Sequence, residues 1–349
     1  MDLNSLLKEV IKKDASDLHL SVGKPPLLRI HGSLIPIKDS ELTPKSVVFL
    51  IEALTNQEQR EKLAVEKEID FSYDLEGLAR FRVNAYHQSG FLSAALRLIP
   101  NKIRTIEELG LPPLIKDFAK PDQGFFLVVG PAGHGKSTVM ASLVDIINHT
   151  QEKHVITIED PAEYVFKSDK CIISQREVGR DTLSFKKALK SVLREDPDVI
   201  MIGEMRDCES IAAAMTAAET GHLVFASLHT NTAAQTIDRI IDSFPAHQSQ
   251  QIRSQLASTL LGVVSRRLIP KLGGGLTSAA EVMTANSAIR NLIREGRTHQ
   301  IDLVIETSAS EGMVSLNRSL AQLFKAKQIS REQALIFSTN PTELNNLIR

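Results

Sequence analysis

The chain has 349 residues, enough for two domains whose cores need no disulfide or metal staple. Hydrophobic residues make up 42% and charged residues 24%, and a net charge of −1 gives no broad basic face for nucleic acid. No apolar run approaches the length of a membrane-spanning helix, and the N-terminus lacks the apolar block of a signal peptide. The two cysteines, Cys171 and Cys208, have no metal-ligand spacing and read as reduced thiols.

Taken in chain order, the pattern starts with an amphipathic helix over roughly Asp2 to Asp14. "PLLRIHGSLIPI" then alternates like a strand pair around Gly32, and a helical stretch spans about Pro44 to Ala64. "IDFSYDL" and "ARFRVNAYHQ" alternate at period two across Glu76-Gly77, a hairpin signal, and "LSAALRLIP" reads as a further strand. Residues 1–100 therefore form a small α+β domain. Residues 101–120, with several prolines, read as a connector, and 121–349 as a second domain. From Gly124 the strands "FFLVVG", "HVITIED", "DVIMIGE" and "LVFASLH" alternate with helices, which predicts an α/β fold with a mainly parallel sheet. After Asp238 the chain is expected to be mostly helical.

The strand Gly124–Val129, the loop "GPAGHGKST" and an apolar helix from Val139 to Asn148 supply the context of a phosphate-binding loop. Gly130, Pro131, Ala132, Gly133, His134, Gly135, Lys136, Ser137 and Thr138 form the loop. Its amides can cradle phosphate oxygens, and the helix N-terminus adds partial positive charge. Lys136 belongs against the β- and γ-phosphates of ATP, and Ser137 on Mg²⁺. His134 stands where a small residue is common and is expected to point to solvent.

"DPDVIMIGEMRD" is an apolar strand ending in Glu204. With Val199–Ile202 expected beside the phosphate-loop strand, Glu204 emerges near the metal. The position before it, often Asp in such enzymes, is Gly203. "ITIEDPAEY" clusters Glu159, Asp160 and Glu163, and either glutamate can orient the attacking water. His222 and His229 bracket the strand in "ETGHLVFASLHTN"; His229 can sense the γ-phosphate. Arg80 and Arg82 share a strand face, and Arg97 lies on another strand. Either these arginines pair with acids on a solvated face, or they neutralise a phosphate supplied by another part of the assembly.

The chain resembles the PilT-type retraction ATPases of type IV pili, within the secretion ATPase superfamily. The resemblance runs through "ASDLHLS", "ARFRVNAY", the phosphate loop, "ITIEDPAEYVF", "SQREVGRDTLSFKKALKSVLREDPDVIMIGEMRD", "AAETGHLVFASLHT", "TIDRIIDSFP", "KLGGG" and "AIRNLIREG". It implies an N-terminal PAS-like domain, a C-terminal RecA-like ATPase domain and a cytoplasmic homohexamer. It assigns Glu163 as the catalytic glutamate, Glu204 as the metal-associated one, His222 and His229 as a histidine box, and Arg82 and Arg97 as arginines that reach the nucleotide. It implies an inner-membrane platform protein as partner at the cytoplasmic face, and an accessory retraction ATPase as a further one. Helix Ala288–Gly296 resembles the family's retraction-specific helix, with Ile289, Leu292 and Ile293 on one stripe and Arg290 and Arg294 on a second, free for a partner.

Ala132, His134, Leu276 and Ser287 depart from the family's usual residues. Assembly and type II secretion relatives usually carry a longer N-terminus and a four-cysteine insert, so retraction is the expected activity. An accessory or assembly motor of the same superfamily and a low-turnover, nucleotide-gated scaffold are the alternatives. No nucleic-acid partner is expected.

Overall fold

The computed structural model describes residues 2–348 apart from His31, Lys38, Asp39, Glu76, Pro100 and Asn101. The first residue of the expected Glu76-Gly77 turn thus lies outside the described residues. The chain divides into two compact units. One comprises residues 1–102 with 161–165, the other residues 103–160 with 166–349.

The first unit is a six-stranded sheet built from β1 (Asp17–Leu20), β2 (Leu27–Ile30), β3 (Ser33–Pro36), β4 (Glu68–Leu75), β5 (Ala79–Gln88) and β6 (Phe91–Ile99). Their spatial order is β3-β2-β1-β6-β5-β4, with every neighbouring pair antiparallel. Asp2 caps helix Leu3–Lys12 by accepting the Ser5 N–H, and Leu3, Leu6, Leu7 and Val10 face inward at helical spacing. The helical stretch after Pro44 is two helices, Pro44–Leu54 and Gln57–Glu66. Asn56 separates them, with a reciprocal capping box to Gln59. The strict alternation of β5 buries Phe81, Val83 and Ala85 against these helices and turns Arg80 and Arg82 to the other face.

The second unit holds a seven-stranded sheet. Its strands are β7 (Gly124–Val129), β8 (His154–Glu159), β9 (Ile172–Glu177), β10 (Val199–Ile202), β11 (Leu223–Leu228), β12 (Leu260–Pro270) and β13 (Leu276–Thr284). The order is β13-β12-β7-β11-β10-β8-β9; all neighbours are parallel except the β12–β13 hairpin. β7, β10 and β11 are buried along their whole length, as expected of parallel strands covered on both faces. Leu127, Ile158, Ile202 and Val224 share one core with helices Cys208–Glu219, Ala233–Asp242, Ser249–Thr259 and Ser287–Glu295. A separate cluster of Ile269, Ala279, Leu316, Leu320 and Leu344 seats the C-terminal helices on the hairpin.

One sequence expectation is corrected: strand β10 does not lie beside the phosphate-loop strand, because β11 pairs with both and separates them. After Asp238 helices prevail as expected, and β12 and β13 add a long hairpin among them. β12 is buried on both faces over Gly262–Arg266, so its sequence lacks the period-two signature of a half-exposed strand.

Candidate active site

The strand order fixes what meets at the carboxyl edge of the parallel sheet. The phosphate loop follows β7, His229 follows β11 and Glu204 follows β10, so His229 stands between the other two. The Lys136 ammonium donates to the carbonyls of Gly130 at 2.9 Å and Pro131 at 3.1 Å, and lies 3.1 Å from His229 Nδ1. An ammonium can only donate, so Nδ1 accepts and the ring proton resides on Nε2. That nitrogen is 2.9 Å from Glu204 Oε1, while Arg206 holds Oε2 at 3.1 Å. One imidazole therefore joins the loop lysine to the strand-end carboxylate.

The loop itself suits phosphate. Helix Lys136–Thr150 starts at Gly135, which has φ 76° and brings no side-chain cap to compete with an anion at the helix N-terminus. Gly133 has open space where a Cβ would stand, and Lys136 is buried with its charge turned inward. No cluster of three His, Cys, Asp or Glu able to hold a metal ion occurs among the described residues. A divalent ion held by Ser137, Glu204, water and nucleotide oxygens fits that sparse donor set.

Gly203, the residue before Glu204, lies close against β8. A Cβ there would lie 3.3 Å from the Ile158 carbonyl and 3.4 Å from Glu159 Cα, and a side chain would crowd β8. Glu159 is buried at the end of β8, where Thr157 donates to its carboxylate at 2.7 Å and Gln175 at 3.3 Å. Glu163 is exposed and falls in the short segment that groups with the first unit.

Three placements differ from expectation. His134 does not point to solvent: its Nδ1 accepts the Leu268 N–H at 3.0 Å. His222 precedes β11, at the opposite edge of the sheet from the loop, with Nδ1 2.9 Å from the Ala217 carbonyl. Six strand residues, roughly 20 Å, separate it from His229, so within this unit it does not join the nucleotide-binding residues. Arg290 is not free on its helix, because it donates to the carbonyls of Ala285 and Ser258, each at 2.8 Å, and of Ala257. Burial, then neighbouring Arg294, lowers its pKa.

In the first unit, register puts Arg29, Asp17, Arg97 and Arg82 in one row across four strands. Arg97 Nε donates to Asp17 at 2.8 Å, and Arg82 lies 4.0 Å from Asp70. Sequence reasoning missed Arg266, a buried guanidinium that donates to the Gly135 carbonyl at 2.8 Å. Its signal was two arginines inside the apolar run "VVSRRLI".

A parallel sheet with this loop, lysine and strand-end glutamate defines a P-loop ATPase. Residues 1–345 match the family described as "Type II/IV secretion system protein", and the chain belongs to that family. It is 48% identical over 334 residues to "Type IV pilus retractation ATPase PilT" of Pseudomonas aeruginosa, covering 96% of this chain and 97% of that one. "Type IV pilus ATPase PilU" of the same organism is 37% identical, over 100% of this chain and 92% of its own. Among solved structures, "Crystal Structure of the Pilus Retraction Motor PilT and Bound ADP" superposes with a TM-score of 0.92 at 46% identity, covering 99% of each chain. That likeness carries the N-terminal domain and RecA-like ATPase domain expected from sequence.

Proposed function

We propose that this ATPase is a ring-forming motor that hydrolyses ATP to drive type IV pilus retraction. The observation that carries the hydrolytic part is the Lys136–His229–Glu204 link at the mouth of the phosphate loop. The retraction part rests on the near full-length likeness to a retraction ATPase.

Each residue has a task in this reading. Loop amides and the Lys136 ammonium bind the β- and γ-phosphates, Lys136 exchanging its carbonyl partners for phosphate oxygens. Ser137 and Glu204 hold Mg²⁺, which when bound neutralises charge on the transferring phosphoryl group. His229 keeps Glu204 aimed at the loop and reports on Lys136 when phosphate draws the ammonium away. Glu163 orients the attacking water. Arg82 and Arg97 neutralise phosphate in a ring of six copies, with Arg97 Nε held by Asp17 at 2.8 Å. The platform of the pilus machine at the inner face of the membrane is the proposed load.

The test is deletion of the gene followed by imaging of surface fibres. Excess unretracted pili with lost twitching are expected. Unchanged fibres and motility would remove the retraction reading, and a purified protein that releases no phosphate from ATP would remove the motor.

A further inference from the structure

The phosphate loop is held from outside its own strand and helix. β7 ends at Val129, which pairs with Ser265, whereas β12 runs on to Pro270. Arg266 to Pro270 thus continue past the last β7 residue, and the loop occupies the place where further β7 residues would have paired. Backbone groups facing that side need partners. The loop meets β12 at three points, and at the second of them it supplies such a partner.

At the first point, Gly130 packs directly on β12: a Cβ there would come within 2.5 Å of the Arg266 carbonyl. At the second, His134 Nδ1 accepts the N–H of Leu268 at 3.0 Å. At the third, the Gly135 carbonyl accepts from Arg266 Nη1 at 2.8 Å, and the same guanidinium donates to Ser278 Oγ on β13 at 2.9 and 3.2 Å. A Cβ at Gly135 would lie 2.3 Å from Arg266 Nη1 and would displace the guanidinium, and the φ of 76° itself favours glycine. Lys136 follows immediately, and its ammonium direction depends on where Gly135 is held.

We propose that His134 is a positioning residue for nucleotide: its imidazole docks the phosphate loop onto β12 and, with Arg266, sets the backbone shape in which loop amides and Lys136 meet the phosphates. The proposal rests on reading this loop as the ATP site. A small residue cannot make this contact. Serine ends one bond beyond Cβ, while Nδ1 sits two bonds beyond it, at the distance asparagine Oδ1 also reaches. The contact requires an unprotonated Nδ1. Burial pushes the His134 pKa down, and Arg267, Lys136 and Arg266 push it the same way, so the accepting form is favoured.

The test uses the full-length protein with a fluorescent ADP analogue, ATP turnover, and melting without nucleotide. Three variants separate shape from hydrogen bonding. His134→Phe keeps the ring and loses the acceptor, His134→Ser falls short of Leu268, and His134→Asn keeps an acceptor at the same bond distance. His134→Phe is expected to raise the ADP Kd and the ATP KM about 3- to 10-fold, the span of one lost neutral hydrogen bond. kcat should fall by a smaller factor than affinity, because the imidazole meets no reacting atom. His134→Asn should recover binding to within about twofold of the parent. If His134→Phe does not fold, His134→Ser replaces it in the comparison.

Equal weakening by His134→Asn and the acceptor-less variant would overturn the proposal, as would unchanged affinity in both. Lys136→Ala is the control for the site itself. Loss of binding there with no effect at His134 sinks this inference and leaves the ATP site standing. No binding by the parent protein sinks both.

Discussion

His229 Nδ1 lies 3.1 Å from the ammonium of Lys136, which places a strand-end histidine within the hydrogen-bonding reach of the loop lysine. Its second nitrogen meets Glu204, so removing the ring disconnects two charged groups. His229→Phe is expected to lower kcat by about 10- to 100-fold, the usual cost of losing a partner that orients a metal-associated ligand. Nucleotide affinity should fall less, because the Lys136 ammonium and the loop amides both remain to meet the phosphates. Lost affinity with kcat unchanged would show that the histidine acts in binding alone.

Glu163 and Glu204 separate by metal titration. Glu163→Gln should bind ATP with Mg²⁺ and turn over slowly, because only the group on the water is altered. Glu204→Gln should in addition need more Mg²⁺ to reach half of its own maximal rate. Superimposable Mg²⁺ curves for the two variants would contradict the division of roles.

Leu292 sits in the main core of the second unit with Ile289 and Ile293, at 9% exposure. The apolar stripe expected from sequence is therefore the seat of its helix. Leu292→Ala should lower stability by about 2 to 4 kcal/mol and the melting temperature with it. Exposed Arg294 is the better position for testing a partner contact on this helix. A melting temperature unchanged in Leu292→Ala would show that the helix docks loosely.

Glu281 gives a pH signature. It lines a cavity of about 320 Å³ with Asp302, Glu306 and Glu343, and accepts the Ala233 N–H at 2.7 Å. Burial, opposed by that N–H, raises its pKa from 4.5 to about 7. A raised carboxyl pKa means that the protonated form is favoured by folding. Its contribution is complete below pH 4.5 and is lost as pH rises through about 7. Glu281→Gln keeps an acceptor and cannot ionise. It should be more stable than the parent at pH 8, on the order of 3 kcal/mol, and closely matched to it at pH 4. Melting curves at both pH values decide this, and parallel pH dependence would refute it.

The phosphate loop and its flanks were legible because glycine spacing, a buried strand and an apolar helix are all local signals. Glu204 and His229 were legible as strand-end residues. Their connection was not, because it depends on β11 lying between β7 and β10, and strand order is set by crossovers rather than by residue pattern. β12 and β13 were hidden because strands buried on both faces lack alternation. His134 misled for a related reason: its partner is 134 residues away. Arg290 read as a surface cation, since sequence does not show that Ala257 and Ser258 present carbonyls to it.

The bracing of the phosphate loop by β12 also has a meaning in time. Gly135 leaves the ribosome 131 residues before Arg266, and His134 emerges 134 residues before Leu268. At about 5 to 20 residues per second, that interval is roughly 7 to 27 seconds of synthesis. Throughout it the nascent chain carries the whole signature of a nucleotide site without the strand that shapes it. Until the hairpin has been made and folded back the loop lacks these braces, so its final shape is a late product of synthesis.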